Sequence, residues 1–300
     1  MAVKLFVERN KLISFGCSHT QGVALPDWHG HTHRYSKYAW GEIVSQELNI
    51  PTHDNQGHGG ASNRHILHNI LNYKFVPGKD IVVILWTYTH RRTLWHDNKN
   101  HPKIEDWGNW RYNNDPKYHE DSKTRVQHVR PYSYKGPLGR NDDLISEEQK
   151  KWYNYFYSVY DTILQLAHCI HHAKLHLDSL GIPNYHMLQS ILQISQLKHA
   201  SDDIPYLLDF PFIHVFFDKY QRIPPLARDN AHAGPNAHKQ YGTIVAENIK
   251  KCMNEKYQKM SAFPTIAPTH DKRGIRGNFS VNKFTDIHSY YADYGITSDI

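Results

Sequence analysis

Along this chain the spacing of apolar positions switches repeatedly between a strand-like run and a helical period. Lys11 to Phe15 is a short, partly apolar run that stops at Gly16, which predicts a strand delivering a polar turn, CSHTQG. Ala39 to Leu48 places Trp40, Ile43, Val44 and Leu48 at helical spacing, and Pro51 closes that helix before an extended piece, Thr52 to Asn55. The glycine-rich turn QGHGGASN then leads into a helix with Ile66, Leu67, Ile70 and Leu71 on one face and Ser62 or Asn63 as its cap. Asp80 to Trp86, DIVVILW, is the most continuous apolar run, as expected of a central parallel strand covered on both faces. A long helix is predicted from about Glu147 to Leu180, ended by Gly181 and Pro183, and a fourth strand over Asn184 to Leu188. DFPFIHVFF near residue 210 reads as an apolar loop, and the last periodic segment is a helix from about Asn236 to Tyr257.

This alternation of strand and helix predicts a doubly wound α/β sheet, whose ligand crevice lies at the carboxyl ends of its strands. From 93 to 148 the pattern collapses into polar residues interrupted by Trp95, Trp107, Trp110, Tyr112, Tyr118, Tyr132 and Tyr134, which reads as an insertion. The expected organisation is one domain over 1–260, with 93–148 as insertion or lid, and an aperiodic C-terminal extension over 261–300 that packs on the domain or on a partner.

Bulk properties narrow the field. The formal charge of +6 is scattered instead of gathered into a basic arm, which argues against a nucleic-acid partner. Cys17, Cys169 and Cys252 lack the paired spacing of a zinc site or a disulfide framework, so a reducing compartment fits best. Lys4, Glu8, Arg9 and Lys11 break the N-terminal apolar run, and no stretch reaches membrane-spanning length, so the expectation is a soluble, cytoplasmic product without a membrane partner.

Three polar turns follow predicted strands, FGCSHT, NQGHGGASN and WTYTHR, and a fourth, DNAHAGPNAH, precedes the last helix. A serine at a strand-to-helix turn can expose its Oγ, with nearby backbone N–H groups placed to stabilise an oxyanion. Asp229 and His232, three residues apart on one turn, can supply an oriented imidazole as the base for Ser18. Taken singly these residues have plainer uses: Ser18 and Asn63 as helix caps, Asp229 as a turn former. It is their combination that favours chemistry.

The combination resembles the SGNH (GDSL-like) hydrolase family. Gly16-Cys17-Ser18-His19-Thr20 is similar to the family's first block, Gly-Asp-Ser-x-Ser/Thr, and Asp229-x-x-His232 is similar to its last. Asn55-Gln56-Gly57-His58-Gly59-Gly60 is similar to the second block, whose final glycine donates a backbone N–H to the oxyanion; Gly60 takes that role, or Gly59 with a shift of one residue. FGCSHT followed by GASN is also similar to SGNH proteins encoded by tailed bacteriophages. The resemblance implies a three-layer α/β/α flavodoxin-like fold with a parallel central sheet. It also implies an esterase in which Ser18 attacks, His232 relays the proton, Asp229 orients His232, and no cofactor or metal is needed.

Two positions depart from the family pattern. Cys17 replaces the usual aspartate, and its place on the strand side argues against a thiol nucleophile. The third block's oxyanion asparagine is absent from Leu85-Trp86-Thr87-Tyr88-Thr89; Thr87 is the nearest replacement by position, and Asn63 is a second candidate. Within the family's substrate range an O-acetylated carbohydrate suits the aromatic insertion. A catalytically degenerate fold serving as a structural or glycan-binding part of a larger assembly, such as a virion or a homo-oligomer joined through the extension, is the rival. A third reading uses His29, His31 and His33 as a metal site for phosphoester cleavage, although no carboxylate accompanies them. His168, His172 and His176 read as the solvated flank of a helix whose apolar face is Ile163, Leu166, Ala167, Ile170 and Leu177, and His238 reads as structural.

Overall fold

The computed structural model describes residues 10–28, 35–89, 91–97, 124–129, 159–200, 210 and 212–254. His29, His31 and His33, most of the insertion and the extension 261–300 lie outside the described residues. The elements are β1 (Lys11–Gly16), α1 (Ser18–Gln21), α2 (Trp40–Glu47), β2 (Thr52–Gly57), α3 (Asn63–Asn72), β3 (Asp80–Trp86), β4 (Arg92–Asp97), β5 (Thr124–Val129), α4 (Val159–Ser179), β6 (Asn184–Leu188), α5 (Ile191–Ala200) and α6 (Pro235–Asn254).

β2, β1, β3 and β6 form one sheet in that spatial order, every pair parallel. Side chains alternate faces along a strand, and the two sets are sorted cleanly here. Ile13, Phe15, Val82, Ile84 and Trp86 pack with Ile66 and Ile70 of α3 and Ile163, Leu166 and Ile170 of α4. Leu12, Ile81, Val83 and Leu85 pack on the opposite face with Trp40 and Val44 of α2 and Tyr241, Val245 and Ile249 of α6. The result is the expected three-layer α/β/α arrangement. Every residue of β3 is buried, as the apolar run from Ile81 to Trp86 requires of a strand covered on both sides. The chain runs from β1 to one side for β2 and returns to the other side for β3, so the strand order reverses between β1 and β3. That switch point opens a crevice beyond the carboxyl ends of both strands.

The remaining differences from the sequence reading are local. The turn after β1 closes into the short helix α1, and β2 runs two residues further than expected, to Gly57. The insertion contains an antiparallel pair, β4 with β5, in register from Arg92 opposite Val129 to Asp97 opposite Thr124. Helix α4 is described from Val159, so its expected first residues lie outside the described set; its predicted apolar face is buried, while His168 and His172 are exposed. Helix α5 was not expected. Phe210, Phe212, Ile213, Val215, Phe216 and Phe217 are buried, and Phe212 bridges His186 at the edge of β6, so this loop is core. Among the described residues no helix is long and apolar enough to cross a membrane.

Candidate active site

Ser18 opens α1 directly beyond β1 and is 6% exposed. Its turn is tight because the Thr20 and Gln21 N–H groups both close on the Cys17 carbonyl, and Gly22 and Val23 on that of Ser18. β2 comes close enough that a Cβ on Gly57 would stand 2.4 Å from the Gln21 nitrogen, so glycine is required there. Asn55 completes the joint: its Nδ2 donates to the Thr20 carbonyl at 2.7 Å and its Oδ1 accepts from Gly57 N–H. Cys17 is fully buried among the apolar side chains of the α3 and α4 face.

Asp229 and His232 stand on a turn just before α6. Asp229 Oδ1 accepts the backbone N–H groups of Ala231 and His232, both at 3.0 Å, and Oδ2 meets His232 Nδ1 at 2.5 Å. Asn230 holds φ at 53°, a left-handed conformation that asparagine tolerates better than most residues and that folds the turn back on itself. Burial by itself raises the Asp229 carboxyl, but the hydrogen bonds from the His232 side chain and backbone and from Ala231 outweigh it and hold the group below the ordinary carboxylate range. With Nδ1–H directed at this carboxylate, Nε2 of His232 is the acceptor nitrogen. This turn is also stitched to the loop that follows Ser18: Arg228 N–H donates to the Ala24 carbonyl at 3.0 Å, and its guanidinium donates to the Trp28 carbonyl.

Behind this pair lies a shell of neutral rings. His19, the residue after Ser18, has its ring centroid 5.5 Å from that of His232 and 4.6 Å from that of Phe217. Burial, with His232 and Arg91 adding to it, keeps the His19 imidazole well below its ordinary pKa. Burial, with His232 adding to it, pushes His238 down to about 3, and its Nδ1 accepts from Trp40 N–H at 3.1 Å, which makes it structural as expected.

The second block supplies the other wall. Gly60 adopts φ +81°, a conformation costly for any other residue type. Among the described residues the backbone N–H groups of Ser18 and Gly60 donate to no partner. Ser62, not Asn63, caps α3 by accepting from His65 N–H. Asn63 instead clamps one residue: Oδ1 accepts from Thr87 N–H at 2.9 Å and Nδ2 donates to the Thr87 carbonyl at 3.0 Å. Gln193 of α5 donates to the same carbonyl at 2.9 Å. Thr87 is thus fixed at the end of β3, fully buried, with its Oγ1 unpartnered.

No family model matches the chain, and no curated protein matches it. Solved structures do resemble it. A protein of the lipolytic G-D-S-L family from Desulfitobacterium hafniense shares 11% identity over 80% of this chain and 99% of its own, with a TM-score of 0.40. A lipase/acylhydrolase from Enterococcus faecalis shares 13% over 81% of this chain and 96% of its own, TM-score 0.38. A catalytic mutant of an acetylxylan esterase from Geobacillus stearothermophilus shares 14% over 82% and 95%, TM-score 0.35.

Of the residues singled out from sequence, the structure puts Ser18 and Thr87 at the ends of adjacent strands and hydrogen-bonds Asp229 to His232. The loop of that pair is bound to the loop after Ser18. Among the described residues Ser18 Oγ makes no hydrogen bond to His232. A second serine-histidine-carboxylate array exists elsewhere: His53 Nε2 lies 2.9 Å from Ser14 Oγ, and its Nδ1 lies 3.0 Å from Glu42. Ser14 is fully buried, and Gly41 of α2 closes over it so tightly that a Cβ there would stand 2.8 Å from the hydroxyl. No ester reaches that serine, so this array holds α2 to the sheet. Among the described residues no group of three or more His, Cys, Asp or Glu is placed to hold a metal ion. Sequence reasoning assigned no part to His19, Phe217 or Gln193, which the structure places against His232, His19 and Thr87 respectively, and it included Arg91 only as the last residue of the turn WTYTHR. His19 sits inside the first block and was within reach; Phe217 and Gln193 join through tertiary packing alone.

Proposed function

We propose that the protein is a serine esterase with Ser18 as nucleophile, His232 as general base and acid, and Asp229 as the carboxylate that orients His232. The observation that carries this reading is the short Asp229–His232 bond on a turn tied to the loop of Ser18, at the switch point of a parallel sheet. In the reaction, Ser18 Oγ attacks the ester carbonyl as its proton passes to His232 Nε2. The tetrahedral oxyanion is held by the N–H groups of Ser18 and Gly60 and by the Thr87 hydroxyl, which takes the place of an amide donor. Collapse expels the alcohol with the proton from His232, and water then releases the acid by the same relay. Asn63 contributes by fixing Thr87. The low carboxylate pKa of Asp229 keeps that group charged through neutral pH, which favours the imidazolium formed in each transition state.

An O-acylated carbohydrate is the substrate class that the aromatic insertion suits, and a virion component that deacylates a glycan is the most specific form of the proposal. The test is hydrolysis of 4-nitrophenyl acetate by the wild type, Ser18→Ala and His232→Ala. Loss of at least a hundredfold in kcat/KM in both variants supports the esterase; equal rates in all three point to a degenerate fold that binds without turnover.

A further inference from the structure

The turn after β3 carries a cation that the esterase mechanism does not use. Arg91 lies with its guanidinium carbon 5.5 Å from the centre of the Tyr88 ring, and its Nη1 is buried with no hydrogen-bond partner. The ring beneath it is rigidly held, because the Tyr88 hydroxyl donates to Asp218 Oδ1 at 2.7 Å and Gln189 Nε2 donates to the same oxygen at 3.1 Å. Among the described residues Arg91 forms no ion pair. Leaving a guanidinium nitrogen dry and unpaired is expensive, whereas a bidentate carboxylate satisfies it well. The turn that carries Arg91 is tied to the neighbourhood of Ser18, since Asp218, which holds Tyr88, follows Phe217, whose ring centroid is 4.6 Å from that of His19, the residue after Ser18. Two more buried polar atoms without partners, His19 Nδ1 and Thr87 Oγ1, stand beyond the ends of β1 and β3.

We infer that Arg91 is a carboxylate-binding residue of the crevice and selects substrates that carry a carboxylate close to the ester. This deepens the esterase reading and rests on it for the word substrate, but not for the binding. The carboxylate belongs either to the acyl group, as in a hemisuccinate, or to a uronic acid in the alcohol portion. A planar guanidinium fork can meet both oxygens of a carboxylate at once, a geometry that lysine cannot reproduce.

The experiment uses the full chain with Ser18→Ala, so that nothing turns over, and titrates it calorimetrically with succinate and with galacturonate, using succinamide and galactose as uncharged controls. At least one acid binds while its control does not, and Arg91→Gln in the same background weakens that binding tenfold or more. Succinate as the acid bound places the carboxylate on the acyl side; galacturonate places it on the alcohol side. Arg91→Lys, which keeps the charge, retains only part of the affinity and serves if the glutamine variant does not fold. Binding of neither acid, or equal binding with and without Arg91, overturns the inference. Because the readout is binding, it stands apart from the 4-nitrophenyl acetate assay: an inactive wild type that still binds an acid through Arg91 sinks the esterase and leaves this site.

Discussion

Replacing Thr87 with valine separates stability from activity in opposite directions. Thr87 is fully buried and its Oγ1 has no partner, while its backbone is held by Asn63 and Gln193 independently of the side chain. Valine has nearly the same shape, so it removes an unsatisfied buried hydroxyl without leaving a cavity. Relief of that desolvation penalty is worth about 1–3 kcal/mol, so the folded state is unchanged or more stable. The same hydroxyl is the proposed side-chain donor to the oxyanion, and losing one such donor costs about 3 kcal/mol, or roughly a hundredfold to a thousandfold in kcat. Urea unfolding together with steady-state hydrolysis of 4-nitrophenyl acetate reads both quantities on one preparation. A variant that loses more than about 1 kcal/mol of stability while keeping its kcat would refute the placement of this hydroxyl in the oxyanion hole.

Two further outcomes follow from the same structure. Asn63→Ala removes both bonds to Thr87 and leaves its N–H buried and unpaired, although Gln193 still serves the carbonyl; unfolding in urea should show a loss of about 2–4 kcal/mol, and a loss under about 0.5 kcal/mol contradicts the clamp. His186 and His238 are held neutral by burial, each down to about 3, so the unfolded chain binds more protons below the ordinary histidine pKa. Stability contributed by these groups is therefore present near neutrality and falls as pH drops from about 6.5 toward 3, by about 2 kcal/mol for each histidine between pH 7 and 5. Equal urea midpoints at those two pH values would show that the rings are not excluded from water as described.

What the sequence showed and what it hid divide along physical lines. Asp80 to Trp86 was legible because a strand covered on both faces is apolar along nearly its whole length, whereas Lys11 to Phe15 and Asn184 to Leu188, which bury Ser14, Asn184 and His186, were legible from their place before a glycine turn and after a helix stop; β3 and β6 match their expected bounds residue for residue. Helix α5 was not, since its weak amphipathic pattern has a polar residue facing inward: Gln193 is buried to serve the Thr87 carbonyl and Ser190 N–H. Arg92–Asp97 and Thr124–Val129 pair across 26 residues of polar sequence, and neither carries the period-two alternation that betrays a half-buried strand. At the site, Asp229-x-x-His232 was readable because the bond is local, within one turn. The task of Asn63 was not, because its partner is a backbone group 24 positions away, which leaves no mark on the identity of Thr87.

The most direct test of the central claim is active-site labelling with a fluorophosphonate followed by peptide mass analysis. The account predicts one covalent adduct, on Ser18, formed at a rate that collapses in His232→Ala and falls in Asp229→Asn. An adduct on another residue, or labelling of Ser18 that is indifferent to His232, would contradict it.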